Sequence, residues 1–257
     1  MHPLLAQIAH RPILLPTKPW IMVQKWHDLL FAHWAVQPEQ LRPLVPAQLE
    51  LDLFQGKAYV AVTPFHMSGI RACFFPPLPG FSRFPELNVR TYVRYGDVPG
   101  VYFFSLDAGS LPAVWAARAG YGLPYLHAEM TVKTEPASSV IEYASRRLQN
   151  PRPAEFSGRY WPISEPWQRE KGALEHFLTE RYCLYVVHSA KVFRAYIHHV
   201  PWPLQDAEAE IALNTMAQAA GIELPAVKPL LHFSKVIEVL VWLPEEAYAN
   251  RNLISHR

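Results

Sequence analysis

Short runs in which apolar and polar residues alternate with a period of two recur along this chain, and no helix regularly separates them. Such a pattern describes strands with two different faces, and the absence of strand–helix–strand order argues against a parallel sheet. Leu49-Glu50-Leu51-Asp52-Leu53 alternates and leads through Gln55-Gly56 into the apolar run 58–62, the signature of a hairpin. Further strands are expected at 26–34, 87–95, 101–106, 128–134, 140–145, 181–187, 192–200 and 232–242. Helices are expected just after Pro38, at 111–119 ahead of Gly120 and Gly122, and at 207–220 ahead of Gly221. The stretch 150–166 is rich in proline but carries Phe156, Tyr160 and Trp161, so it reads as a packed long loop. A second proline-rich loop is expected at 73–85, with Pro76-Pro77 and Pro79-Gly80 at its turns.

Many short strands and few helices predict an α+β chain with an antiparallel β-barrel core and a few outer helices. Residues 1–257 read as a single domain without internal repeats. Half of the residues are hydrophobic and 13% are aromatic, enough to fill a large core and to line a pocket for a small organic molecule. Twenty-five prolines against 11 glycines fit many rigid loop corners and strand ends.

The net charge of +2 comes without a cationic run, which argues against nucleic-acid binding. No apolar run approaches the roughly 20 residues that span a bilayer, and residues 1–19 lack a continuous apolar signal segment. Cys73 and Cys183 lie far apart in apolar surroundings, the usage of free thiols in a reducing compartment, so a cytoplasmic location is expected. Nucleophile elbow, phosphate loop, dinucleotide fingerprint and paired-histidine zinc motif are all missing. The 12 histidines show no ligand spacing beside a cysteine or carboxylate cluster, and His198 and His199 face opposite sides of a strand. No metal site and no cofactor is expected.

The most informative charge is Glu86, set among Phe84, Pro85, Leu87 and Val89. A carboxylate entering such a strand must reach solvent, an arginine, or a desolvated pocket that raises its pKa. Two readings stand: an acid/base or substrate-orienting group, or a salt bridge to Arg90 or Arg118 that closes the barrel. Glu86, Asn88 and Arg90 share one strand face and are expected to line one wall together. Tyr125 either donates to a ligand oxygen or ties its hydroxyl to backbone in the core. Arg118 either clamps a carboxylate or braces its helix against Asp107. For His27 and His33 a satisfied core or edge position is the default.

Four stretches go together: Leu41-Arg42-Pro43-Leu44-Val45-Pro46, Phe84 to Arg90, Leu106-Asp107 with Arg118 and Gly122-Leu123-Pro124-Tyr125, and Phe177 to Tyr182, which is expected to open a strand. With the strings ELNVRTYV, FLTERY and HVPWPLQ, they resemble the DUF2071 (YqjF-like) family over nearly the whole chain. The first half is also similar to acetoacetate decarboxylase. That enzyme has a strand, an ALR-x-x-VPEPLE segment and a strand pair in the same order. A tyrosine-x-glutamate motif, an aspartate, a helix with GRE, and PKK follow, the first lysine of PKK being its Schiff-base nucleophile.

The resemblance implies a barrel around a small-molecule cavity, with Glu86 at the motif glutamate, Arg118 at the arginine of GRE and His27 near a further pocket arginine. Pro124 falls where PKK begins, so Tyr125 and Leu126 replace both lysines, and a phenol cannot form an imine. Glu86, Arg118 and Tyr125 are therefore expected to converge as catalytic groups, with His27, Asn88 and Arg90 binding a small carboxylate or carbonyl compound by acid/base chemistry. The rival reading is a non-catalytic ligand-binding or interaction protein. A third is a Schiff-base enzyme whose lysine has moved to Lys133 or Lys235.

Overall fold

The computed structural model describes residues 2–73, 75–76, 82–135, 138–148 and 153–249. The expected turn at Pro79-Gly80 lies outside them. The chain runs β1 (Met22–Val36), α1 (Pro38–Leu41), β2 (Glu50–Leu51), β3 (Ala58–Ala72), β4 (Phe84–Tyr95), β5 (Val98–Ala108) and α2 (Leu111–Tyr121). It continues with β6 (Tyr125–Thr134), β7 (Ile141–Arg147), β8 (Glu155–Pro162), α3 (Leu174–Thr179), β9 (Cys183–His188) and β10 (Lys191–His198). Last come β11 (Gln205–Asn214), α4 (Met216–Ala219), β12 (Leu230–Val241) and β13 (Glu245–Glu246). The architecture is α+β, and the strands form one 13-stranded sheet.

Pairing is antiparallel except where β5 meets β6 and β9, where it is parallel. The hydrogen-bonded ladder closes on itself twice. One circuit runs β4, β5, β6, β7, β8, β11, β12, β1, β3 and back to β4; the other runs β4, β5, β9, β10, β12, β1, β3. Five strands, β1, β3, β4, β5 and β12, belong to both.

Side chains alternate across this shared wall, so each strand supplies two interiors. Leu30, Ala32, Val60, Val62, Leu87 and Val89 enter the larger circuit, where they pack with Ile141, Tyr143, Phe156 and Phe233 into a filled core. Their neighbours Leu29, Phe31, Phe65, Glu86, Asn88 and Arg90 face the smaller circuit, which is hollow. On β5 a bulge opposite Val89 and Arg90 shifts the alternation, so that Val101, Phe103 and then Leu106 all face the hollow side. Glu86 and Asn88 of β4 are thus buried, at 3% and 5% exposed, and Arg90 is half-buried.

Helix α2 forms as its sequence indicates. Ser110 caps its first turn by accepting from the Ala113 N–H, and Pro112 sits where a missing N–H costs nothing. Gly122 ends it at φ 64°, donating its N–H to the Arg118 carbonyl.

Four expectations are corrected. The run 49–53 does not pair with 58–62 as a hairpin: β2 pairs with β4, and only a bridge between Phe54 and Lys57 closes the turn. Residues 205–214 form β11, not a helix, because Asp206, Glu208 and Glu210 alternate with Ala207, Ala209 and Ile211 along an edge against β8. Ala and Glu favour helix intrinsically, but period two decides when one face has a partner to bury against. Only Met216–Ala219 is helical there, and Gly221 follows at φ 82°. The supposed loop at 150–166 holds β8, whose Phe156 and Tyr160 point into the filled core. Phe177 to Thr179 belong to α3, so the next strand starts at Cys183 rather than before it. Cys73 and Cys183 are both free thiols. Among the described residues no helix is long and apolar enough to cross a membrane.

Candidate functional site

The hollow circuit encloses a cavity of about 310 Å³. Its wall is mostly apolar, with Leu29, Phe31, Phe65, Met67, Phe103 and Leu106 prominent. Pro112, Ala113, Ala116 and Ala117 of α2 close one side. Glu86, Asn88 and Arg90 enter from β4, Thr63 from β3 and Tyr125 from the start of β6.

Glu86 is the centre of the group. Tyr125, the first residue of β6, donates its phenolic O–H to Glu86 Oε2 at 2.8 Å. Burial pushes the Glu86 carboxyl up to about 7; hydrogen bonds from Tyr125 and Asn88 restrain the rise, and the charge of Asp107 adds to it. Tyr125 is driven well above the ordinary phenol range by burial and by the Glu86 charge, so it stays a donor. Asn88 is itself held by the hydroxyl of Thr63, the residue opposite it on β3. The backbone of Glu86 is fixed from the other face, where the Tyr143 hydroxyl donates to its carbonyl at 2.8 Å.

Arg90, two positions beyond Asn88, also lines the cavity. Its guanidinium carbon stands 5.4 Å from the centre of the Phe31 ring and 5.8 Å from that of Tyr92. Its Nε and Nη2 are buried and find no acceptor among the described residues. The neighbouring Arg181 also reaches the cavity, but its charge is met by Asp52, 2.5 Å from Nη1.

Glu86, Tyr125, Asn88 and Arg90 are thus brought together; Arg118 and His27 are not. Arg118 is exposed on the outer side of α2 and donates its Nε to the Tyr125 carbonyl at 2.6 Å. It ties the helix to the start of β6 and braces nothing at Asp107, which forms a buried bidentate pair with Arg147 at 2.7 and 2.8 Å. The expected salt bridge from Glu86 to Arg90 or Arg118 is not among the ion pairs of the described residues, since Tyr125 occupies the carboxylate instead. His27 stacks on His66 with ring centres 4.9 Å apart and bonds Ser68 at 2.7 Å, away from the cavity wall. Met22, Gln24 and Trp26 line the cavity, so alternation sends His27 to the other face of β1, and the bulge at Asp28 then brings Leu29 and Phe31 to the cavity side.

Among the described residues no lysine lines the cavity. Lys133 is exposed on β6, and Lys235 reaches out to Asp28 at 2.6 Å. Among the described residues no group of three or more His, Cys, Asp or Glu is disposed to hold a metal. Sequence reasoning missed Tyr121, Trp202 and Phe31, which also line the cavity. The HVPWPLQ string contained Trp202, but nothing local distinguishes a cavity aromatic from a core one.

Solved structures share this fold. The enduracididine biosynthesis enzyme MppR complexed with pyruvate superposes with a TM-score of 0.63 at 10% identity, covering 95% of this chain and 99% of that one. Acetoacetate decarboxylase from Legionella pneumophila gives 0.61 at 13% identity, over 95% and 94%. An acetoacetate decarboxylase-like enzyme from Sphingomonas wittichii RW1 gives 0.61 at 12%, over 92% and 98%. At such identities the likeness is one of fold. In sequence, YqjF of Bacillus subtilis (strain 168) is 49% identical over 236 residues, which is 92% of this chain and 96% of that protein. The profile of DUF2071, described as an uncharacterized conserved protein, matches residues 23–238. That span takes in most of the sheet and every polar residue of the cavity, and it makes this chain a member of the DUF2071 family, built on the fold of the acetoacetate decarboxylase-like enzymes.

Proposed function

We propose that this protein, acting as one domain, binds a small carboxylate or carbonyl compound in the cavity and that Glu86 exchanges a proton with it, without a Schiff-base lysine. The observation that carries the reading is the pairing of opposite needs in one apolar enclosure. Glu86 titrates at about 7, and Arg90 presents buried donors that no described protein group accepts. A general acid/base works best with a pKa near the operating pH, and a guanidinium in an apolar wall is a carboxylate receptor.

In this reading Arg90 anchors the anionic end of the ligand. Glu86 takes a proton from the bound molecule when ionised and returns it when neutral, so the step needs no co-reactant. Tyr125 and Asn88 hold the carboxyl in place, and Arg118 secures Tyr125 from outside through its carbonyl. The pyruvate complex of MppR, a protein of the same fold, lends support to a small organic acid as ligand.

A thermal-shift screen of short carboxylic acids, keto acids and their neutral amides tests the proposal. Acids should raise the melting temperature of the wild-type protein and amides should not, while Arg90→Met should abolish the response to acids. Glu86→Gln should retain binding of a simple acid and lose any solvent-proton exchange into a keto acid, followed by NMR in heavy water. A protein that binds acids but shows no exchange even in the wild type would be a non-catalytic binder. Indifference to every acid would remove the proposal.

A further inference from the structure

Among the described residues, the buried polar atoms of the cavity wall that have no hydrogen-bond partner are Arg90 Nε and Nη2, Tyr121 Oη and Trp202 Nε1. Every one can donate, and those of Arg and Trp can only donate. Buried donors left unpaired are uncommon, because each keeps the full cost of its lost hydration. A cavity with a surplus of donors is complementary to a ligand with a surplus of acceptors, and it is hostile to amines.

These donors fall into two groups. Arg90 and Trp202 flank one ring: the Arg90 guanidinium carbon is 5.4 Å from the Phe31 centre, and the Trp202 and Phe31 ring centres are 4.9 Å apart, edge to face. Tyr121 instead belongs with Tyr125, four residues on across the αL turn at Gly122, and so with Glu86. Burial lifts the Tyr121 phenol to about 12, which keeps its hydrogen in place as a donor. Along β4, Glu86 and Arg90 are four residues apart, about 13 Å between Cα atoms at the usual strand rise. Between the groups stands Asn88, its amide already engaged by Thr63 and Glu86, and the rest of the lining there is hydrocarbon, with Leu106 opposite Asn88 and the alanines of α2 closing the side.

We infer that Trp202 and Tyr121 set ligand selectivity. With Arg90, Trp202 takes a carboxylate; with Glu86, Tyr121 takes a second oxygen acceptor, separated from the carboxylate by an apolar chain of several carbons. The ligand class is an elongated oxo-carboxylic acid. This rests on the acid-binding reading of the same cavity and adds two specificity residues, a length and a polarity for the far end.

Three probes of matched length test it by titration calorimetry: octanoate, the eight-carbon keto acid with its ketone near the far end, and octylamine. The wild-type protein should bind the keto acid best, octanoate about tenfold more weakly, and octylamine not at all, one hydrogen bond to an ionised or carbonyl acceptor being worth about that factor. Trp202→Phe should weaken both acids about tenfold. Tyr121→Phe, which deletes a single oxygen, should weaken only the keto acid and erase its advantage. Equal binding of octanoate and the keto acid by the wild-type protein, or unaltered affinities in both variants, would overturn the inference. If short acids bind and neither eight-carbon acid does, the assigned length is wrong while the acid-binding reading stands. If no acid of any length binds, both fall together.

Discussion

Tyr125 holds Glu86 by a single hydrogen bond of 2.8 Å from phenol to carboxyl, and no lysine competes for that place. Burial raises the carboxyl and this contact holds part of the rise back, and the balance sets how Glu86 responds to pH. Its folded pKa of about 7 stands above the ordinary 4.5, so the fold prefers the protonated form. No penalty applies below pH 4.5, where both states are protonated. From there to about pH 7 stability falls as pH rises, and above that the loss is constant. The full loss is about 3 kcal/mol, since each tenfold gain in proton affinity on folding is worth about 1.4 kcal/mol. Glu86→Gln removes the titration, so its unfolding free energy should gain on that of the wild type between these limits and run parallel to it above them. Chemical denaturation at a series of pH values measures this. A variant less stable than the wild type at pH 8 would show that the ionised carboxylate is a structural anchor.

Imine chemistry is expected to be absent. It requires an amine that meets the substrate in a desolvated site, whereas Lys133 is exposed and Lys235 is 59% exposed and paired with Asp28. Borohydride treatment with pyruvate or acetoacetate, followed by mass spectrometry of peptides, should leave every lysine unmodified. A reduced adduct on Lys133 or Lys235 would restore the relocated-lysine mechanism.

Asp107 and Arg147 are both almost wholly buried, and removing one partner strands the other charge. Asp107→Asn should cost about 3–5 kcal/mol, against about 0–1 kcal/mol for Arg159→Ala at the exposed pair with Glu210. Denaturant titration of both variants makes the comparison. Asp107 also raises the proton affinity of Glu86, so in Asp107→Asn the Glu86-linked change in stability should move to lower pH. A small, pH-independent effect would mean that this pair neither holds the wall nor feels the cavity.

Most strands are legible in the sequence because alternation is a local signal, and spacing alone puts Glu86, Asn88 and Arg90 on one face. Alternation does not say that the polar face is also buried, since that follows from the second closure of the ladder through β9 and β10. β11 reads wrongly as a helix because its alanines and glutamates carry a propensity that pairing with β8 overrides. Arg118 escapes correct placement because a helix of 11 residues shows the cavity only one side, and its sequence lacks a polar stripe to mark which. Tyr121 and Trp202 are aromatic residues among many, and only the missing partners of their polar atoms distinguish them.

The division of labour along β4 has an evolutionary consequence. Leu87 and Val89 serve a solid core that tolerates little change of volume, while Glu86, Asn88 and Arg90 serve an open space. The two sets interleave in sequence yet answer to different selection, one for folding and the other for chemistry. A lineage on this scaffold can therefore exchange its polar residues at every second position without renegotiating the positions between. Homologues that handle different molecules should diverge with a period of two along this strand.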